Sequence, residues 1–311
     1  MPALPLTRHL PSREDALHTL RTVRDCVRYA TTRLRAAEVA LGHGTDNAFD
    51  EAVWMVLWSL HLPPDALEPH LEARLTAPEL ATVLQLIERR CTDRLPTAYL
   101  TGEAWLRGVR FLSDPRALVP RSPIAELLDS GALETWLPDP DAALRVLDLC
   151  TGGGSLAILC ALAWPQADVT GADLSETALA LAAENVALHG LELRIALRQG
   201  HLWDPVARQR FDVVVCNPPY VNSASMVALP PEYRHEPQGA LAGGSDGMDL
   251  VREILAGAAA RLNPDGILVL EIGHEAAHFE AAFPRLECVW MPVSPGDDQV
   301  LVVERRALAA L

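Results

Sequence analysis

The sequence predicts an α/β fold: a mostly parallel sheet with helices on both faces, preceded by a small helical domain. Three observations carry this. Beyond Arg121, apolar runs of strand length alternate with runs of helix length, the pattern of a parallel sheet covered on both sides. Two of the apolar runs stop abruptly in unusual turns, Thr151-Gly152-Gly153-Gly154 and Asn217-Pro218-Pro219-Tyr220. Residues 12 to about 94 carry helical signals only.

The elements follow in order. One helical segment runs from Ser12 to Leu41 and is closed by Gly42, and a second from Asn47 to His61 is closed by Pro63-Pro64. A third opens at Thr76-Ala77-Pro78-Glu79, a capping box with the glutamate three after the threonine. Trp54, Val56, Leu57 and Trp58 read as packing residues. Tyr99 to Leu112, punctuated by Gly102 and Gly108, reads as a hairpin. Strands are expected at Arg145–Leu149, Val169–Asp173, Leu193–Gln199 and Phe211–Cys216. Asn263-Pro264-Asp265-Gly266 is a turn signal before a strand at Ile267–Glu271. Glu287–Val293 and Val300–Glu304, joined by Ser294 to Asp298, form a closing hairpin. The domain reading is a helical substrate-recognition domain at 1–95, a hairpin linker at 96–121 and a catalytic domain at 122–311.

Composition narrows the class. A chain of 311 residues, half of them apolar, can build one large core and a smaller one. The six cysteines are scattered, with no C-x-x-C pair and no histidine spacing that would hold zinc, so no metal is expected and the thiols are read as reduced. The N-terminal residues lack a signal pattern, and no apolar run approaches the ~18 residues of a membrane span, which points to the cytoplasm. The net charge of −15 argues against strong nucleic-acid binding, which depends on cationic contacts to phosphate. Arg21, Arg24, Arg28, Arg33 and Arg35 recur along the first helix, where the plain reading is a solvated face. An acidic chain is matched electrostatically to a basic partner.

The chemistry-bearing residues cluster at strand ends. Two prolines after Phe211–Cys216 stop the strand, since neither has an N–H to donate, and open α/β sheets bind ligands at that end. Asn217 and the Pro218 carbonyl are two acceptors, and Tyr220 is an aromatic face; together they suit a planar group bearing NH2, either a carboxamide or an exocyclic base amine. Upstream, the glycines after Arg145–Leu149 let backbone approach a ligand closely, and the helix that follows presents free N–H groups. The spacing is not that of a dinucleotide site, and Asp148 would repel a pyrophosphate, whereas it suits an amino group or a cation. Asp173, ending the next strand, can accept from both ribose hydroxyls of a nucleoside; its plain reading is a helix N-cap, a role Ser175 can fill equally well.

Together these motifs resemble the class I S-adenosylmethionine-dependent methyltransferases, and within them the enzymes that methylate the side-chain amide (N5) of protein glutamine. The resemblance covers roughly residues 96 to 305 and rests on Asp148-Leu149-Cys150-Thr151-Gly152, Asn217-Pro218-Pro219-Tyr220 and the run Glu236 to Gly247. The tetrapeptide alone would also fit adenine-N6 methyltransferases of nucleic acid. Pro120-Arg121-Ser122-Pro123 stands where release-factor enzymes typically read Pro-Arg-Pro-Glu-Thr-Glu, and Leu229 to Pro237 is a further insertion. Both resemble the branch acting on the third large-subunit ribosomal protein, free or partly assembled.

The resemblance implies a Rossmann-like sheet with an antiparallel last strand and S-adenosyl-L-methionine as cofactor. It implies Asp148, Cys150, Thr151, Gly152, Gly154, Asp173, His201, Leu202 and Asn217 as cofactor-binding residues. Asn217, Pro218 and Tyr220 would be catalytic, with Pro219 and Arg121 helping to bind substrate. His201 departs from the family, which usually places an acidic residue there; a solvated loop histidine is the plain alternative. Two alternatives to the whole reading are another methyltransferase, of release factors or adenine, and a non-catalytic ribosome assembly factor.

Overall fold

The computed structural model describes residues 10–310. The chain forms two compact units: residues 10–102 with Pro231–His235, and Glu103–Pro230 with Glu236–Ala310.

The first unit is helical: α1 (Arg13–Thr19), α2 (Val23–Ala36), α3 (Ala48–Ser59), α4 (Leu67–His70), α5 (Ala77–Asp93) and α6 (Thr97–Thr101). The segment expected as one helix from Ser12 to Leu41 is two. Leu20 is extended, and residues on either side of Thr22 hydrogen-bond to 73–75 like a short ladder, Leu75 N to Arg21 O at 3.0 Å and Val23 N to Ala73 O at 3.1 Å. Thr22 then caps α2 by a capping box with Asp25. The expected capping box at Thr76 and Glu79 opens α5. Faces of α1, α2, α3 and α5 bury one core that includes Leu34, Met55, Val56, Val83 and Ile87.

A buried ion cluster completes this unit. Arg90, 1% exposed, donates to Glu51 at 2.6 Å and to Glu232 at 3.1 Å, and Arg94 pairs with Glu232 at 2.7 Å. Glu232 comes from the segment Pro231–His235 and also accepts from the Ala40 N–H at 3.0 Å. Burial alone would push its carboxyl up, but the Arg94 and Arg90 guanidiniums and backbone N–H groups hold it below the usual range.

The second unit begins with the hairpin β1 (Glu103–Leu106) and β2 (Val109–Leu112) and the short helix α7 (Ile124–Asp129). Then come β3 (Arg145–Leu149), α8 (Ser155–Ala163), β4 (Asp168–Asp173), α9 (Glu176–Leu188), β5 (Ile195–Gln199), β6 (Phe211–Cys216), α10 (Ser223–Ala228), α11 (Asp249–Arg261), β7 (Leu262–Glu271), α12 (Ala276–Ala282), β8 (Val289–Val293), β9 (Gly296–Glu304) and α13 (Arg305–Leu308). The seven-stranded sheet has the order β5-β4-β3-β6-β7-β9-β8, and β9 runs antiparallel to both of its neighbours. This is the expected fold class.

Alternate residues of the central strands feed two cores. Val146, Val213, Val215, Ile267 and Val269 face α7 and α8, while Leu147, Val214, Leu268 and Leu270 face α11. Strands buried on both faces explain why β3, β6 and β7 read as continuous apolar runs rather than alternating ones. The expected turn at Asn263–Gly266 lies inside β7 as an interruption: Phe211 pairs with Leu262 and Val213 with Ile267, so four residues oppose one. The strand order reverses between β3 and β6, where ligands bind in open α/β sheets.

Candidate functional site

At the C-terminal end of β3 the chain turns through Cys150 and Gly152, with φ of +63° and +54°. A left-handed cysteine costs on the order of 1–3 kcal/mol of backbone strain, a cost usually met at binding sites. A Cβ added at Gly152 would meet nothing within 4 Å, so this stretch of backbone borders open space. Gly154 differs: its Cβ would come 3.1 Å from that of Ala182, so it serves the packing of α8 on α9.

Asp148 lies beneath this turn, 1% exposed. Its Oδ2 accepts from the Thr151 hydroxyl at 2.5 Å and from the Ala157 N–H at 2.8 Å, whereas buried Oδ1 has no partner among the described residues. Burial raises its pKa to about 7, against those two hydrogen bonds. An orphaned carboxylate oxygen is a place for a donor that arrives with a ligand.

Asp173, at the end of β4, accepts from the Gly152 N–H at 2.8 Å with Oδ2 and from the Ser175 N–H at 2.8 Å with Oδ1. Burial moves its carboxyl upward too. The cap of α9 is Ser175, which accepts from Ala178 N at 3.2 Å, so Asp173 is left with lone pairs for a ligand. After β5, Leu202 is buried at φ +41° within the core under α11, and His201 is half-exposed, its Nδ1 3.9 Å from Glu253 Oε2.

Asn217 and Pro218 follow β6 directly. Among the described residues nothing hydrogen-bonds to the Asn217 side chain or to the Pro218 carbonyl, so both acceptors are unused. Pro218 and Pro219 are buried, Asn217 and Tyr220 half-buried. Beyond them Val221 joins Leu241–Gly243 by two backbone bonds of 2.8 and 2.9 Å, which is why the run Glu236–Gly247 accompanies the tetrapeptide. Glycine is required there, since a Cβ at Gly247 would stand 2.2 Å from the Tyr220 carbonyl oxygen.

Arg121 forks onto Glu236 at 2.6 and 2.8 Å, and Glu236 also accepts from Val119 N at 3.1 Å. The pair fastens one end of the segment that follows Leu229. Four side chains at this site, Ser122, Asn222, Glu271 and Glu275, were not read as site residues from the sequence. The Tyr220 hydroxyl donates to Glu271 Oε1 at 2.8 Å, the Ser122 hydroxyl donates to Glu271 Oε2 at 2.5 Å, and the Asn222 side chain donates to Glu275 at 2.7 Å. For Glu271 the local signal is an acidic residue at the end of an apolar run, Leu268-Val269-Leu270-Glu271.

Comparison with known proteins fits this geometry. The methyltransferase small domain family matches residues 128–229, from the end of α7 through β6 and α10. The ribosomal protein uL3 glutamine methyltransferase of Bordetella pertussis is 61% identical over 93% of this chain and 97% of its own length. Those of Burkholderia pseudomallei and Neisseria gonorrhoeae are 54% and 45% identical, each over 94% of this chain. The chain belongs to this family. Among solved structures, the 16S rRNA N2 G1207 methyltransferase of T. thermophilus with AdoMet and guanosine aligns over 65% of this chain and 49% of its own, at 21% identity and a TM-score of 0.45.

The site fits the S-adenosylmethionine that its motifs imply. The orphaned Asp148 Oδ1 suits the cofactor's amino group, the open side of Gly152 gives room for close approach, and Asp173 retains acceptors for ribose hydroxyls.

Proposed function

We propose that this chain transfers a methyl group from S-adenosylmethionine to the side-chain amide nitrogen of a glutamine in ribosomal protein uL3, in the cytoplasm. The reading rests on one observation above others: Asn217 and the Pro218 carbonyl are paired acceptors with no partner in the fold, next to Tyr220. The family's relatives, which bear the name of that activity, support the choice of client.

When bound, the cofactor supplies an electrophilic methyl on a sulfonium and leaves as a neutral thioether. The protein's task is the nucleophile. An amide nitrogen is poor because its lone pair is delocalised into the carbonyl. Asn217 Oδ1 and the Pro218 carbonyl each accept one N–H of the glutamine amide, which fixes its plane and favours a nitrogen lone pair turned toward the methyl carbon. As the new C–N bond forms, positive charge on nitrogen meets these two acceptor dipoles, an oxyanion hole with the sign reversed. One N–H proton then leaves along such an acceptor to water, restoring the neutral amide. Tyr220 packs on the amide and keeps water away, with Pro219 closing the pocket and Arg121 holding the neighbouring loop.

Cys150, Thr151, Gly152 and Leu202 line the cofactor side with the two aspartates, and His201 borders it. The acidic chain attracts a basic ribosomal protein, free or partly assembled, better than it attracts nucleic acid. The test is to incubate the enzyme and labelled cofactor with purified uL3, release factors and RNA in parallel. Label on uL3 alone, at glutamine, is expected; label only on release factors removes the client assignment, and label only on RNA removes the amide chemistry.

A further inference from the structure

Alternation along β7 sends Ile267 and Val269 to the core under α7 and α8, and Glu271 continues that face. It is 4% exposed, at a position where the pattern calls for an apolar residue. A carboxylate in such a place is costly unless every oxygen is engaged. Here both are, by hydroxyls from two distant stretches of chain: Ser122, 149 residues earlier, on Oε2, and Tyr220, 51 residues earlier, on Oε1. Arg121, whose charge favours the ionised Glu271, forks onto Glu236.

The surroundings of Tyr220 show what this carboxylate does. A Cβ at Gly273 would lie 2.5 Å from Tyr220 Cε2 and 2.9 Å from its hydroxyl oxygen, so the ring edge rests on bare backbone. Glu271 holds the far end of that ring through its hydroxyl. Four residues beyond Glu271, Glu275 grips Asn222 in the same way, through the side chain at 2.7 Å. The end of β7 thus supplies two carboxylates that hold the residues on either side of Val221.

We infer that Glu271 is a positioning residue: held between the hydroxyls of Ser122 and Tyr220, it sets the orientation of the Tyr220 ring beside the Asn217 and Pro218 acceptors. The inference rests on the amide-holding reading for its kinetic consequence and on geometry alone for its structural one. Glu271→Ala removes the acceptor that holds the Tyr220 hydroxyl. Tyr220→Phe keeps the ring and removes only its tether. Glu271→Gln keeps an acceptor for Tyr220 and turns its NH2 to Ser122, whose hydroxyl can rotate to accept.

Two measurements test it. With ring-labelled tyrosine the protein gives signals from Tyr29, Tyr99, Tyr220 and Tyr233, and Tyr220→Phe assigns the one that matters. Glu271→Ala should shift and average the Tyr220 ring signals and spare the other three, and Glu271→Gln should restore them. In single-turnover methylation of uL3, Glu271→Ala and Tyr220→Phe should each lower the rate on the order of ten- to a hundredfold, with the double variant no slower than either. Cofactor affinity and client KM should stay within about threefold in these variants, and Glu271→Gln should return to within about threefold of the native rate. A native rate in Tyr220→Phe, equal loss in Gln and Ala variants, or unmoved Tyr220 signals in Glu271→Ala would overturn the inference. If the native enzyme leaves uL3 unlabelled, the client reading fails by itself, and the ring signals still decide the role of Glu271.

Discussion

The Gly152 N–H donates to Asp173 Oδ2 at 2.8 Å, joining the glycine turn after β3 to the carboxylate that ends β4. The bond fixes the carboxylate toward the turn whose outer side is open, and it takes one lone pair of four oxygen sites. Asp173→Ala should lower affinity for S-adenosylhomocysteine by roughly tenfold to a hundredfold, about 1.5–3 kcal/mol, because two ribose hydroxyls lose a charge-assisted acceptor. Calorimetry showing native affinity in that variant would remove Asp173 from the site.

Asp148 makes cofactor binding sensitive to pH. Burial raises its pKa to about 7 from an ordinary 3.8, so near neutrality the free protein holds this group partly protonated. A cationic amino group favours the carboxylate. Affinity should therefore rise with pH through about 7, by up to roughly tenfold per unit below it, and level off above. The stability of the ligand-free protein runs the other way. A carboxyl raised in the folded state contributes its full share below about 4 and loses it as pH climbs through about 7, at no more than about 1.4 kcal/mol per unit. Titration calorimetry and urea melts from pH 5 to 8 read both slopes, and Asp148→Asn should flatten each; an unchanged slope in that variant excludes Asp148 as the source.

What was legible in the sequence was whatever the covalent chain decides locally. Two prolines end β6 wherever the rest of the chain goes, and Thr76 with Glu79 opens α5 through contacts three residues apart. The break between α1 and α2 was hidden because Arg21 and Thr22 are extended by a partner at 73–75, with no glycine or proline to announce it. Glu271 was hidden for the same reason on a larger scale: Tyr220 reaches it only when β6 and β7 lie side by side, and Ser122 comes from 149 residues earlier in the chain. The site's acceptors were written in one tetrapeptide, while the groups that orient them come from three separate stretches of chain.

The ion cluster of the helical unit predicts a stability effect. Glu232 is fully buried between Arg90 and Arg94, and Glu51 is the other carboxylate on Arg90. Glu232→Ala leaves two guanidiniums with one acid between them, so the variant should lose about 3–5 kcal/mol in urea or thermal unfolding. Glu72→Ala serves as a comparison, since its pair with Arg24 is exposed and should be worth about 0–1 kcal/mol. Equal effects of the two substitutions would show that the buried cluster carries no special share of stability.

Asn217 separates binding from chemistry. Its side chain makes no hydrogen bond among the described residues, so replacing it with alanine removes nothing that holds the fold. The loss falls on the glutamine amide: one of its N–H groups goes without an acceptor, and the nitrogen is no longer held with its lone pair turned to the methyl carbon. That contact strengthens as charge develops on nitrogen, so it belongs to the transition state more than to the ground state. Asn217→Ala should cut the single-turnover rate by about 100-fold or more, on the scale of losing one oxyanion-hole donor. Affinity for S-adenosylhomocysteine should fall far less, and the unfolding curve should stay put. Single-turnover methylation of uL3, calorimetry and a thermal melt on the same preparation distinguish the outcomes. A rate near native would show that the amide is held by other groups, and a loss confined to cofactor affinity would place Asn217 on the cofactor rather than on the glutamine.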